Sequence, residues 1–265
     1  MTRRVRWIWL GLVSAFMLTP LLWLLRLSVT PETQIHTWPP TLLPAAPTLA
    51  HYGEILSGGP FWQQLANSLA VCLVSTALAL TLGAMGAYGL ARFRFRARDV
   101  ILTACLALHL IPGVANMTAV YRAAEHLGAF DSLIFVGLLK AGGVTLAMWI
   151  LVATFQNVPV RLEQAAQLDG FSRAQVLWRV TLPLAGPGLL AAGLLLFIQA
   201  WNTFFLPFLL LEDPGKMTLT VGVYQYFSEH GFQQGHVAAF MVLSILPVPT
   251  LFLAFRRRLW GRLAL

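Results

Sequence analysis

Asn157–Pro187 reads N-V-P-V-R-L-E-Q-A-A-Q-L-D-G-F-S-R-A-Q-V-L-W-R-V-T-L-P-L-A-G-P, a polar interruption between two apolar runs of membrane length. Pro159 suits the start of a helix, where a missing N–H costs nothing. Val160 to Leu168 consists largely of good helix formers, and Gly170 can take the left-handed conformation that ends a helix. Ser172 is a cap for a second short helix through Val180, which Pro183 and Pro187 separate from the next apolar run. The stretch therefore predicts a helix–turn–helix lying against a membrane.

The rest of the chain supplies that membrane. Its 265 residues are 58% hydrophobic and only 11% charged, against about 25% charged in soluble domains. Six runs approach the ~20 residues that cross a hydrocarbon core: 7–29, 67–91, 100–121, 133–155, 187–211 and 235–255. The first follows Arg3, Arg4 and Arg6 as a secretory signal would, but it is long for one and no small-residue cleavage pattern follows Val29. The expected architecture is an all-α, six-span integral membrane domain covering 1–265. Cys72 and Cys105 fall inside apolar runs and are read as small hydrophobic residues.

Positive charge sets the orientation. Fourteen of the eighteen Lys and Arg lie at the N-terminus, at 92–98, at 157–187 and after 255. The alternate loops, 30–66, 122–132 and 212–234, hold only Arg122 and Lys216. The positive-inside rule predicts that both termini, the 92–98 loop and 157–187 are cytoplasmic. The net charge of +8 is thus a topology signal rather than a nucleic-acid patch.

Several in-span residues stand out. Arg26 sits near a span end and can snorkel. Lys140 is deeper, and its position leaves open whether it snorkels or turns toward a cavity. Ala79, Gly83, Gly86 and Gly89 form a small-residue stripe suited to close helix packing. Pro112 with Gly113, and Pro247 with Pro249, interrupt the third and sixth spans. Gln199, Trp201, Asn202 and Thr203 in the fifth span, together with Asn116, are either solute contacts or hydrogen-bonding glue between helices.

No catalytic constellation is visible, and no enzyme activity is expected. The ten carboxylates lie almost wholly in loops, and His36, His51, His109, His126, His230 and His236 show no metal-ligand spacing. Gly215-Lys216-Met217-Thr218 lacks the Ser or Thr after Lys and the upstream glycine of a phosphate loop. With no nucleotide site in the chain, ATP-driven work would require another subunit.

Glu163-Gln164-Ala165-Ala166-Gln167-Leu168-Asp169-Gly170, followed by Leu182-Pro183 and Pro187, resembles the EAA loop of permease subunits of bacterial ABC importers. Gln199-Ala200-Trp201-Asn202-Thr203-Phe204-Phe205-Leu206-Pro207 is similar to the carbohydrate branch of that family, the maltose-type second permease. Asn67-Ser68-Leu69 and Ala87–Phe95 agree with it. Gln164 departs from the pattern by standing where a Glu is usual.

The resemblance implies a type I importer permease of the inner membrane in which 160–168 is a coupling helix docked on an ATPase. Glu163 would offer charge to that partner, Ala165 and Ala166 would allow its close approach, and Asp169 and Gly170 would set the turn. It also implies a homologous second permease and two ATPase subunits that bind ATP and Mg, so this chain itself needs no cofactor. An extracytoplasmic solute-binding protein would deliver a sugar, with 30–66 (Pro31, Pro39, Pro40, Pro44, Pro47) or 212–234 (Glu212, Asp213, Tyr224, Tyr226, Glu229) as its docking surface. The Arg92–Arg98 and Arg256–Arg262 clusters would meet anionic lipid, the ATPase or solvent. Glycerol-phosphate importers share this permease type, leaving a phosphorylated solute open. The contrasting reading is an ion-coupled secondary transporter, which the lack of a clear repeat and of intramembrane acids disfavours.

Overall fold

A computed structural model describes residues 3–37, 43–111, 113–229 and 233–260, without the side chains of Glu229 and of 257–260. Expectations resting on Pro39, Pro40, Pro112, His230, Arg262 and the side chains of Glu229, Arg257 and Arg258 fall outside the described residues.

The described residues are helical, with no strand among them. The chain opens with α1 (Arg3–Ser28), α2 (Glu32–Ile35), α3 (Ala50–Gly58) and the 32-residue α4 (Phe61–Arg92). There follow α5 (Arg98–Leu110), α6 (Met117–Leu127), α7 (Leu133–Lys140) and α8 (Val144–Gln156). The loop region holds α9 (Val160–Leu168), α10 (Arg173–Val176) and α11 (Leu182–Leu184). The remainder is α12 (Gly186–Trp201), α13 (Phe205–Leu210), α14 (Leu219–Glu229), α15 (Gln234–Ile245) and α16 (Pro247–Trp260).

Four stretches are long and apolar enough to cross a membrane: Arg3–Ser28, Phe61–Arg92, Leu133–Gln156 and Gln234–Arg256. Two bent pairs, Arg98–Leu110 with Gly113–Leu127 and Arg173–Leu184 with Gly186–Trp201, raise the number to six if each pair is one span. Two boundaries differ from the sequence reading. The expected 187–211 span stops at Trp201, because Asn202 Nδ2 donates to the Ile198 carbonyl and Thr203 Oγ1 to that of Gln199. These side-chain bonds compete with helix continuation, which an apolar run does not reveal. Conversely, Pro247 and Pro249 do not split the last span: Pro247 opens α16, where proline costs least, and Gln234–Arg256 qualifies as one 23-residue span.

The chain forms two compact units, Met1–Leu65 with Leu219–Pro247, and Ala66–Thr218 with Val248–Leu265. In the first, α15 packs against α1, α2, α3 and α14. Buried Phe240 meets the edge of Phe61 and stacks on Tyr226. Arg26 lies over the Trp23 ring, 4.6 Å from its centroid, which covers its charge within α1.

In the second unit α8 is central, packed on α5 and α12. Leu151, Val152 and Phe155 of α8 join Ala84 and Ala87 of α4 and Ala192 of α12 in one buried cluster. The small-residue stripe does the work expected of it over most of its length. A Cβ at Gly83 would lie 2.6 Å from Ala147 Cβ, and one at Gly86 2.5 Å from Met148 Sδ. Gly89 has open space and takes no part. A second cluster, Val71, Val136, Leu206 and Leu210, holds α13 near α6 and α7.

Candidate functional site

The loop stretch folds as its residue types dictate. Gly170 has φ +89° and ends α9 in a Schellman arrangement, with Gly170 N–H donating to Gln167 O and Phe171 N–H to Ala166 O, each at 3.0 Å. Ser172 caps α10 in a reciprocal box: Ser172 Oγ accepts from Gln175 N–H and Gln175 Oε1 from Ser172 N–H. The second helix does not run unbroken to Val180. It widens into a π-turn at Leu177–Thr181, continues through α11, and bends by 84° into α12 at Ala185. Arg173 and Arg179 lie over the rings of Phe93 and Phe171.

Glu163 is where structure and sequence diverge most. Its side chain is 3% exposed and fully engaged inside the chain. Oε1 accepts from Arg92 Nη2 (2.7 Å) and Thr181 Oγ1 (2.8 Å); Oε2 accepts from Arg92 Nε (2.8 Å) and Tyr88 Oη (3.4 Å). Arg92 Nη2 also donates to the Phe155 and Val158 carbonyls. A bidentate guanidinium–carboxylate pair with further hydrogen bonds to both partners is the geometry in which a buried pair holds. Glu163 is therefore a joint between α9, α4, the end of α8 and the π-turn, and its charge is not available to a docking partner.

Ala166 is likewise buried, so the close approach it allows is within the chain. The open face of α9 is Leu162, Gln164, Ala165, Leu168 and Asp169, with Leu168 90% exposed.

The second candidate region is a cavity of about 870 Å³ in the same unit. Asn116, Lys140, Gln199 and Asn202 all line it, with Ser75, His109, Thr145 and Thr203. Trp201 does not: it is buried and stacked on Phe197, with centroids 5.6 Å apart. Among the described residues no Asp or Glu lines the cavity, and no carboxylate is ion-paired with Lys140. A polar, concave space with convergent amide groups and one ammonium suits a hydroxyl-rich solute.

Two groupings were invisible in the sequence. Arg92, Thr181 and Tyr88 meet Glu163 from 71, 18 and 75 positions away. In the other unit, His51 and His236, read as scattered, come together with Glu32 and Glu54. No residue spacing signals a pair 185 positions apart.

A helical membrane domain with a polar loop joint and an open cavity carrying convergent polar side chains has the construction of a transport permease. Residues 79–264, well over half the chain, match the family described as binding-protein-dependent transport system inner membrane component, and the chain belongs to that family. It is 35% identical to the sulfoquinovosyl glycerol transport system permease of Agrobacterium fabrum, over 91% of this chain and 85% of that protein. It is 32% identical to the trehalose transport system permease of Mycobacterium tuberculosis (94% and 91% covered), and 31% to the maltose/maltodextrin permease of Yersinia pestis (94% and 88%). A crystal structure of a bacterial ABC transporter for the acidic polysaccharide alginate includes a chain of the same fold. The TM-score is 0.81 at 24% identity, with 97% of this chain and 98% of that one covered. The family and the apolar helices make this a multi-pass inner-membrane protein.

Proposed function

We propose that this chain is the membrane-spanning subunit of an ATP-driven importer of a saccharide. It works with a related second permease, two ATPase subunits and an extracytoplasmic solute-binding protein. Both termini and the 157–187 loop face the cytoplasm, where the positive charges concentrate. The observation that carries the reading is the family match over 79–264, a range that contains the loop joint and all of the cavity lining except Ser75. The relatives named for sulfoquinovosyl glycerol, trehalose and maltose support a sugar.

The geometry supplies a mechanism. The ATPase seats against the open face of α9, with Leu168 as its apolar anchor. Motion of that partner moves α9 as a rigid rod, because the Schellman end and the capping box leave the turn no slack. Glu163 carries the displacement into α4 through Arg92, and into the π-turn through Thr181. The 84° bend at Ala185 then converts it into movement of α12, whose Gln199 lines the cavity.

Lys140 favours a narrower version in which the saccharide bears an acid group, since an intramembrane ammonium facing amides with no acid in the lining is suited to an anion. Reconstituted vesicles holding the complete assembly should accumulate labelled saccharide only with ATP. Accumulation driven by a proton or sodium gradient without ATP would overturn the proposal.

A further inference from the structure

The first unit gathers two imidazoles and two carboxylates into one cluster. His51 Nε2 lies 3.0 Å from the Thr30 carbonyl oxygen, which only accepts, so that nitrogen carries the proton. In the neutral ring the lone pair is then on Nδ1, which faces His236 Nε2 at 3.4 Å. His236 Nε2 also lies 2.7 Å from Glu54 Oε2, while its Nδ1 is 3.7 Å from Glu32 Oε1 without a hydrogen bond. Glu32 Oε1 is held by the Gly235 N–H at 2.7 Å, but its Oε2 is buried with no partner. Two carboxylates and a ring lone pair thus surround a His236 side chain that is only 12% exposed, and two of the inward polar atoms are unsatisfied.

We propose that Glu32, His51 and His236, with Glu54 as an adjustable fourth arm, form a binding site for a divalent metal ion of the zinc type. One ligand atom from each of Glu32, His51 and His236 lies within 4.8 Å of the others. Two donors at Zn–N distances of about 2.0–2.1 Å in a tetrahedron sit ~3.4 Å apart, the separation seen between the two imidazoles. The outer bonds are also those of a ligand shell: the Thr30 carbonyl fixes the His51 tautomer, and the Gly235 N–H orients Glu32. Glu54, 66% exposed, is free to draw back, and metal entry would take over the His236 Nε2 that Glu54 now contacts. Two imidazoles with carboxylate oxygen select zinc-like ions over Mg or Ca.

Crowding confirms that the arrangement is built into the backbone. A Cβ at Gly235 would lie 2.5 Å from His51 Nε2 and 3.0 Å from Glu32 Oε1, so only glycine lets α15 come this close. A bound ion would clamp α2 and α3 onto α15, fixing the segment after α1 that the proposed topology puts outside the membrane. The site shares no residue with the cavity, and its existence does not depend on the transported solute.

The test uses the full chain, carrying a tag without histidine, purified in detergent, loaded with Zn²⁺, desalted and measured by elemental analysis. Wild type should retain about one equivalent, and the double variant His51→Ala/His236→Ala should retain close to none. Glu32→Gln, nearly isosteric, should weaken retention at least tenfold, on the scale of losing a metal-site interaction. The Co²⁺-loaded wild type gives a readout that no variant's folding can confound: its visible spectrum should show intense four-coordinate bands without a sulfur charge-transfer band. Wild type that retains no metal would leave a histidine–carboxylate proton pair only, and the proposal fails. It fails equally if the double variant retains as much as wild type, or if cobalt reports thiolate ligation from Cys72 or Cys105.

Discussion

The loop joint and the cavity, both polar places inside one helical unit, are built on opposite plans. Around Glu163 both carboxylate oxygens are engaged, and the guanidinium of Arg92 serves the carboxylate and two backbone carbonyls at once. Around Lys140 the polar groups converge on open space, and the ammonium has no carboxylate among the described residues. Satisfied networks hold one geometry, whereas an ammonium facing open space without a carboxylate partner is held ready for a solute. The chain thus separates a part that transmits force from a part that meets cargo.

The contrast predicts that the joint fails by losing stability and the cavity by losing affinity. Glu163→Ala strands Arg92 in a place where its side chain is 10% exposed, and breaking such a pair costs about 3–5 kcal/mol. The variant should accumulate poorly and melt well below wild type, with transport lost in proportion. An unchanged melting temperature would mean that the joint is not a structural element. Lys140→Met should do the reverse. Removing an unpaired ammonium from an apolar span costs the fold nothing, so the melting temperature holds or rises. A charge-assisted contact of about 1.5–3 kcal/mol disappears, weakening uptake of an acidic saccharide roughly tenfold or more. Uptake of a neutral one should change little, and equal losses for both would remove the reason for assigning Lys140 to an anion.

Much of this fold was legible because its signals are local. Gly170 and Ser172 announce their turn and cap by residue type alone, and the apolar runs locate most of the helices. What stayed hidden depends on partners far away in sequence. Glu163 looked like an exposed coupling acid because its neighbours in sequence are polar, while Arg92 was read as one of a basic loop cluster. Trp201 looked like a path residue because it stands beside Asn202, yet at the last turn of α12 it points into the protein and stacks on Phe197. Adjacent helical residues face different directions, so their proximity in sequence did not place them on one surface. The two histidines of the other unit needed helices from opposite ends of the chain to meet.

The open face of α9 offers a sharper separation between force transmission and folding. Leu168→Asp changes an exposed side chain with no internal role, so stability should move by no more than about 0.5 kcal/mol. If the ATPase seats there, losing an interface anchor weakens its association by about 1–2 kcal/mol, roughly ten- to thirtyfold. Co-purification and solute-stimulated hydrolysis measure both. Intact association in Leu168→Asp would move the docking surface elsewhere.

Gly170 carries the smallest effect and the finest test of rigidity. At φ +89° an alanine pays the left-handed penalty of about 1 kcal/mol, and a Cβ there meets nothing within 4 Å, so the cost is backbone strain alone. Asn tolerates that region better than Ala because its short side chain bonds locally. If α9 acts as a stiff rod, Gly170→Ala should loosen its end and lower the number of solutes moved per ATP hydrolysed, and Gly170→Asn should recover part of the loss despite its larger side chain. Because both variants leave Glu163, Arg92 and the open face untouched, a fall in that ratio without loss of ATPase binding isolates the turn. If Ala and Asn behave alike, side-chain addition rather than φ is responsible, and the Schellman end of α9 is not what keeps the rod stiff.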